Sequence, residues 1–200
     1  MKRKNLLSKS RVILLGLASA AVLFMLTLPS CNNSEKPKDT EEVAEDHNDA
    51  KFANAKEDDA DFLVYAEEVN LEEIQLGRLA QTRGTTTKIK ELGKMMETDH
   101  GKASSDLQAL AESMQITLPA TLTDDGSDSN NKLMDTKPSD FNKEYIDMMV
   151  SGHKDAISKF EDASKDANDS NIRNYASSML PVLRQHLDEF ITNQEQYKKK

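Results

Sequence analysis

Apolar residues recur at helical spacing through four separate segments of this chain, and this periodicity constrains its fold more than any other feature. From Asp59 onward the apolar positions lie three and four residues apart, and no segment alternates as a β-strand would. The four stripes run through 62–80, 89–114, 145–163 and 172–190. Gly84 and Pro119 stand at two of the boundaries, where such residues commonly end helices. The pattern predicts an all-α antiparallel four-helix bundle over residues 59–197.

A long polar connection separates the second predicted helix from the third. Residues 120–138 are rich in Asp, Ser, Asn and Thr and carry few large apolar side chains. At ~3.3 Å per residue, this segment reaches along a helix of ~40 Å. We therefore expect a long connection between helices 2 and 3, which either crosses the bundle or loops at one end.

The first thirty residues have the features of an export signal. A basic segment precedes a mostly apolar run from Val12 to Leu28. Leu28-Pro29-Ser30-Cys31 resembles the bacterial lipobox, which implies cleavage before Cys31 and acylation of that cysteine. Asn32 follows the cysteine, and resemblance to Gram-negative sorting rules then favours the outer membrane. We expect a lipoprotein signal peptide over 1–30 and an exported cell-envelope protein that is anchored to the membrane through Cys31.

The apolar run is nearly long enough to span a bilayer, so a plain transmembrane anchor is the alternative to lipidation. Residues 31–58 are acidic and poor in large apolar side chains, which predicts a disordered tether. The formal net charge is −9, although the first thirty residues carry five basic and no acidic residues. An acidic domain of this kind argues against nucleic-acid binding, and the sequence does not indicate a protein partner.

One ionisable residue interrupts the apolar stripe of each predicted helix. These residues are Glu73, His100, His153 and His186. Counted from the turns that join the helices, all four fall within a slab of ~10 Å around the middle of the bundle. Imidazole and carboxylate groups are ligands of Zn, Fe, Mn and Cu, so the four residues are candidate ligands of a transition metal. Glu97 and Asp99, just before His100, are candidates to orient the histidines through hydrogen bonds or to bridge to the metal.

Other metal chemistries fit the sequence less well. Glu97 and His100 have the Glu-x-x-His spacing of ferritin-like di-iron sites, but Leu183 stands three residues before His186, so the second copy is missing. Methionines such as Met96 and Met149 flank the histidines and suit Cu(I), although methionine at helical spacing more often fills the core.

A structural role is the alternative to metal binding. A Glu and three His residues can satisfy one another as a hydrogen-bonded network that fixes the register of the helices, in a scaffold or interaction module. The sequence has no nucleophile motif and no Gly-rich phosphate loop. These absences favour a protein that is not an enzyme.

Residues 60–192 resemble the bacterial domain-of-unknown-function 4142 family. The segments that carry the resemblance are Glu73-Ile74 with Leu76-Gly77-Arg78-Leu79-Ala80, Met96 with Asp99-His100, Phe141 and Tyr145, Met149 with His153, and Leu180-Pro181-Val182-Leu183-Arg184-Gln185-His186. Asn142 departs from the acidic residue that the family usually has after the Phe. The resemblance implies a ferritin-like four-helix arrangement in an exported protein, and it implies no reaction.

Overall fold

The described part of the chain is entirely helical. The structure is a computed structural model that describes residues 38–52 and 55–198. These residues form six helices: α1 (Thr40–Asp49), α2 (Ala55–Arg83), α3 (Thr87–Met114), α4 (Asp124–Asp135), α5 (Phe141–Asp166) and α6 (Ser170–Lys198). No strand occurs in either described range. The all-α prediction is therefore confirmed, and the four predicted segments correspond to α2, α3, α5 and α6.

The four long helices pack as two helical hairpins. α2 packs along α3, and α5 packs along α6, while α2 also contacts α5 and α3 contacts α6. Local capping explains where α3 and α6 begin. The Thr86 side chain accepts a hydrogen bond from Ile89 N at 3.3 Å, and Asp169 Oδ1 accepts one from Asn171 N at 2.6 Å. α6 continues through Pro181 as one helix.

Two glycines bring α2 and α3 into backbone contact. An ideal Cβ at Gly93 would lie 2.5 Å from Gly77 O, and one at Gly77 would lie 2.7 Å from Gly93 O. Real Cβ atoms do not approach an oxygen so closely. Glycine at these two positions therefore permits a helix separation that any side chain would prevent.

The connection between α3 and α5 contains a helix that the sequence analysis did not predict. α4 begins after Thr123, whose side chain accepts a hydrogen bond from Gly126 N at 3.1 Å and donates one to Glu68 Oε1 at 2.8 Å. Leu133 is fully buried and attaches the other end of α4 to the core. The cap and the buried leucine attach the two ends of this helix, which contains few apolar residues.

The structure also corrects the prediction of a disordered tether for part of the segment 31–58. α1 covers Thr40–Asp49, and α2 begins at Ala55. The Asn48 side chain accepts a hydrogen bond from Thr117 N at 2.8 Å and donates one to Thr117 O at 3.0 Å. Asp39 Oδ2 accepts a hydrogen bond from Asp124 N at 2.7 Å. These bonds to distant residues fix α1, although its sequence is strongly polar.

The core consists of two apolar clusters with a polar layer between them. One cluster contains Leu63, Leu107, Phe160 and Leu183 and their neighbours. The other contains Leu76, Met96, Met149 and Phe190 and their neighbours. Along all four long helices, buried polar residues occupy the turns between the two clusters. They are Glu67, Asn70, Glu73, His100, Ser104, His153 and His186.

The predicted signal peptide over 1–30 and the predicted lipidation site Cys31 lie outside the described residues. Within 38–52 and 55–198, no helix combines the length and the apolar character needed to cross a membrane.

Candidate metal centre

Three histidine rings from three helices meet in the polar layer. The rings of His100 on α3, His153 on α5 and His186 on α6 are each about 1% exposed. Their centroids lie 5.4 to 5.9 Å apart. One nitrogen of each ring lies within 4.8 Å of one nitrogen of each other ring. The structure thus brings together three of the four ligands that the sequence predicted.

The hydrogen bonds at the opposite nitrogens fix the tautomer of each ring. His100 Nδ1 lies 3.0 Å from Asn70 Oδ1, and His153 Nδ1 lies 2.9 Å from Met149 O. His186 Nε2 lies 3.0 Å from Asp99 Oδ2. All three partners are oxygen acceptors, so each of these ring nitrogens carries the hydrogen. The lone pairs of the neutral rings are therefore on His100 Nε2, His153 Nε2 and His186 Nδ1.

These three lone-pair nitrogens have no adequate partner among the described residues. His100 Nε2 is buried and makes no hydrogen bond to any described residue. His153 Nε2 and His186 Nδ1 lie 3.3 Å apart. In the neutral tautomers this contact places one lone pair against another. A cation or an additional proton is needed to make the contact favourable.

The environment keeps the three rings neutral. Burial, with smaller effects from His153 and His186, lowers the pKa of His100 well below its usual value. Burial also lowers the pKa of His153 to about 4. For His186, burial lowers the pKa, while the neighbouring Asp99 partly opposes this effect. Neutral imidazole is the form that binds metal, so near neutral pH protons do not compete for these nitrogens.

Glu73, the fourth predicted ligand, lies beside the cluster rather than in it. Its Oε1 is 3.5 Å from His153 Nδ1, the nitrogen that donates to Met149 O, so it faces the opposite side of that ring from His186. Glu73 is 5% exposed, and its Oε2 makes no hydrogen bond within the described part of the chain. Burial, with a smaller contribution from Glu72, raises the pKa of Glu73 well above its usual value.

The two predicted supporting carboxylates have different positions. Asp99 accepts the hydrogen bond from His186 and so orients that ring. Glu97 lies elsewhere, because its carboxylate binds Arg78 Nε and Gln81 Nε2, each at 3.0 Å. Lys94 adds a third contact at 3.0 Å. The Arg78 and Lys94 side chains are exposed on α2 and α3, so the structure does not bring Glu97 to the histidines as the sequence predicted.

The polar residues that orient His100 were not predicted from the sequence. Asn70 bonds to His100. Burial raises the pKa of Glu67, and the nearby Asn70 is among the groups that lower it by a smaller amount. Asn70 Nδ2 nevertheless makes no hydrogen bond of ordinary distance and angle. Glu67 Oε1 accepts hydrogen bonds from Ser104 Oγ at 2.7 Å and Gln108 Nε2 at 2.9 Å. The spacing of Glu67, Asn70 and Glu73, three residues apart on one face of α2, was the available signal.

The arrangement has the features of a metal site. Tetrahedral coordination with metal–nitrogen distances of about 2.0–2.1 Å separates two nitrogen ligands by roughly 3.3–3.4 Å. The separation of 3.3 Å between His153 Nε2 and His186 Nδ1 fits this value. Each ring also donates its other N–H to an amide, carbonyl or carboxylate oxygen, as metal-binding histidines generally do. His100 Nε2 is buried and unpartnered among the described residues, so it is a third donor. The three ring nitrogens lie within 4.8 Å of one another, a wider spacing than tetrahedral coordination has, so the rings must move closer together to share one ion.

Comparison with known proteins identifies the family. No curated protein and no solved structure matches this chain. A family model described as "Domain of unknown function (DUF4142)" matches residues 44–192, a range that includes part of α1, α2 to α5 and most of α6, with all three histidines. The chain therefore belongs to the DUF4142 family, the same family that its sequence motifs resemble.

Proposed function

We propose that this protein binds a transition-metal ion through His100 Nε2, His153 Nε2 and His186 Nδ1. The observation that carries the proposal is a set of three buried histidine rings, each with a nitrogen within 4.8 Å of a nitrogen of the other two, and each with its N–H held by an oxygen acceptor. An unsatisfied polar atom in a dry core costs about 1–3 kcal/mol. Metal binding removes this cost at three atoms together.

The donor set restricts the class of metal. Three neutral imidazoles suit Zn, Fe, Mn and Cu, with the nitrogen-preferring Zn and Cu favoured over Mn. Met96 and Met149 pack in the apolar cluster next to the histidines, which supports a core-filling role for these methionines rather than copper binding. Asn70, Met149 O and Asp99 orient the rings, and Glu73 stands beside His153 as a further carboxyl. We propose metal binding without a reaction.

A structural polar network is the second candidate function, in an envelope scaffold or interaction module. The chain of contacts from Asp99 through His186 to His153 favours it. For this chain to be a hydrogen-bonded network, His186 must carry protons on both ring nitrogens. Burial disfavours that charged form, and His100 Nε2 has no role in the chain. Metal binding is therefore the better supported of the two.

Metal analysis of the purified full-length chain tests the proposal. After supply with Zn, Fe, Mn or Cu, the wild type should retain about one ion per chain, as expected for one three-histidine site. The double variant His100→Ala, His153→Ala should lose this ion. Replacing the exposed His47 on α1 provides a control that removes an imidazole outside the cluster. An unloaded wild type whose melting temperature is unchanged by all four metals would refute metal binding.

We also propose that the protein is an exported lipoprotein, anchored in the bacterial envelope through Cys31. The Leu28-Pro29-Ser30-Cys31 motif after an apolar run supports this. Asn32 after this cysteine favours the outer membrane. Acyl label should enter the wild type and not a Cys31→Ala variant, which should leave the membrane fraction. A Cys31→Ala variant that remains in the membrane, with no label in the wild type, would favour the transmembrane alternative.

We further propose that the four long helices form a ferritin-like antiparallel bundle. Two helical hairpins joined by the long connection between α3 and α5, with polar residues at mid-height, support this arrangement. An experimentally determined structure in which α5 and α6 do not pack against α2 and α3 would contradict it.

A further inference from the structure

A cleft opens on the protein surface between α2, α4 and α5, on the outer side of Glu73. It consists of two adjoining cavities of about 410 and 320 Å³. Both cavities are lined by Glu72, Glu73, Ser129, Gly152 and Asp155. We refer to these two cavities together as the Glu73 cleft. Three of the five shared lining residues are carboxylic acids, so the cleft is suited to a cation.

Glu73 forms the buried end of this cleft. Its side chain is almost completely buried, yet its Oε2 has no hydrogen-bond partner among the described residues. An ideal Cβ on Gly152 would lie 3.5 Å from Glu73 Oε1, so Gly152 faces this carboxyl directly. Because Gly152 has no side chain, residue 152 places no side-chain atom between this carboxyl and the cleft. A bulky residue at this position would cover it.

The charges of the lining are not balanced within the cleft. Among the described residues, Lys132 is the one basic residue that lines either cavity, and its Nζ lies 2.7 Å from Glu144 Oε1. The acidic residues Glu72, Glu73 and Asp155 line both cavities. A buried carboxyl group without a partner is unfavourable, and a bound cation compensates it.

A second acidic cleft in the same protein provides a comparison. The cavity of about 520 Å³ around Asp59 is lined by as many acidic residues as the Glu73 cleft, including Glu45, Asp61 and Asp162. We refer to it as the Asp59 cleft. Asp59 is also buried, but its Oδ1 accepts a hydrogen bond from Asn168 N at 2.7 Å, and its Oδ2 accepts one from Asp169 N at 2.8 Å. Both clefts are acidic, and of their two buried carboxyls Glu73 is the one with an unpartnered oxygen.

We propose that the Glu73 cleft is a second cation site, which binds a partly hydrated divalent metal ion through the Glu73 carboxylate with Glu72 and Asp155 nearby. Oxygen ligands favour hard cations such as Mg²⁺, Ca²⁺ and Mn²⁺. Mg²⁺ and Mn²⁺ retain water ligands, so the carboxylates need not converge as closely as the three imidazoles do. The site goes beyond the proposed function because it uses oxygen donors and opens to solvent, on the Nδ1 side of His153.

A titration with Mn²⁺ tests this site in the ¹⁵N-labelled full-length chain. The paramagnetic ion broadens the amide resonances of nearby residues, so it reports the position as well as the affinity of binding. The amides of Ser129 and Gly152 should broaden at lower Mn²⁺ concentration than those of Asp61 and Asp162 in the Asp59 cleft. Glu73→Gln should raise the Mn²⁺ concentration needed at Ser129 by roughly tenfold or more, as loss of a metal-binding group does.

Two pairs of variants separate a specific site from general acidity. Glu45→Gln with Asp61→Asn removes two charges from the Asp59 cleft and should leave the broadening of Ser129 unchanged. Gly152→Leu should weaken binding without any change of charge, whereas Gly101→Leu should not, because a Cβ at Gly101 has no neighbour within 4 Å.

Three results would overturn the proposal. They are equal broadening in the two clefts, an unchanged response in Glu73→Gln, and broadening centred on His100 and His186. The last result would place Mn²⁺ at the imidazoles. If the three-histidine site binds no metal, broadening of the Ser129 and Gly152 amides still measures binding of Mn²⁺ in the Glu73 cleft. The failure of one proposal is therefore distinguishable from the failure of the other.

Discussion

Replacing His100 with leucine should separate metal binding from a structural network. In the metal-free protein, His100→Leu removes the buried, unpartnered Nε2, and it also leaves Asn70 Oδ1 without its donor. Each unsatisfied buried group costs about 1–3 kcal/mol. Since one such cost is removed and one is created, the free energy of unfolding without metal should change by less than about 2 kcal/mol.

The metal-loaded proteins should differ much more. A ligand that binds only the folded state, at a free concentration one hundred times its Kd, stabilises that state by about 2.7 kcal/mol. For a helical domain of this size, 1 kcal/mol shifts the melting temperature by about 2–4 °C. Metal should therefore raise the melting temperature of the wild type by roughly 5–11 °C. His100→Leu, which lacks one of three ligands, should show little of this shift.

Circular dichroism melts of the full-length chain, in EDTA and with Zn²⁺ or Co²⁺, measure both quantities. Met96→Leu is the matched control, because Met96 is a fully buried residue on the same helix, one turn before His100. This volume-conserving change should cost less than about 1.5 kcal/mol and leave the metal response intact. A loss of more than about 3 kcal/mol in EDTA for His100→Leu, together with no metal response of the wild type, would refute metal binding and support the network.

Three further perturbations test other parts of the structure. Gly93→Ala should destabilise the protein by about 1–3 kcal/mol in chemical denaturation, because its Cβ clashes with the backbone of α2. Gly101→Ala, with open space around its Cβ, should instead stabilise the protein by up to about 1 kcal/mol. Equal effects of the two substitutions would contradict the close contact between α2 and α3. Asp99→Asn should weaken metal binding about 10–100-fold in a calorimetric titration. The new amide can donate a hydrogen bond to His186 Nε2, and the hydrogen of that ring then moves to Nδ1, where it blocks the metal-binding lone pair. Unchanged affinity would show that Asp99 does not set the tautomer. Metal affinity should stay nearly constant from about pH 7.5 to 5.5 and fall at lower pH. The pKa of His153 is lowered to about 4, so protons compete with the metal only as the pH approaches that value. Metal release centred near the ordinary histidine pKa would contradict this.

The long helices and the meeting of the histidines were predictable because both follow from periodicity and length. His100, His153 and His186 each occupy the middle of an apolar stripe, and the rise per residue fixes their height above the turns. The side of each ring that faces the centre was not predictable. It depends on rotamers and on hydrogen bonds such as those from His100 to Asn70 and from His153 to Met149 O. For the same reason, the sequence did not show that Glu73 lies on the outer side of His153.

The two short helices were not predicted as stable elements, for a different physical reason. α1 and α4 are the most polar of the six helices, and each contains too few apolar residues to form a stripe over several turns. Bonds to residues far along the chain hold them, such as those between Asn48 and Thr117 and between Thr123 and Glu68. Tertiary contacts of this kind leave little signal in a local pattern of hydrophobicity.

The division of the four long helices into two hairpins has a consequence for the order of folding. Contacts within α2–α3 and within α5–α6 join residues that are near in sequence, so they have low contact order and form quickly. His153 and His186 belong to one hairpin, whereas His100 belongs to the other. The three rings are therefore complete only after the hairpins dock. An ion bound by all three rings would therefore mainly slow the separation of the hairpins. Metal supply would change the unfolding rate of the protein more than its folding rate.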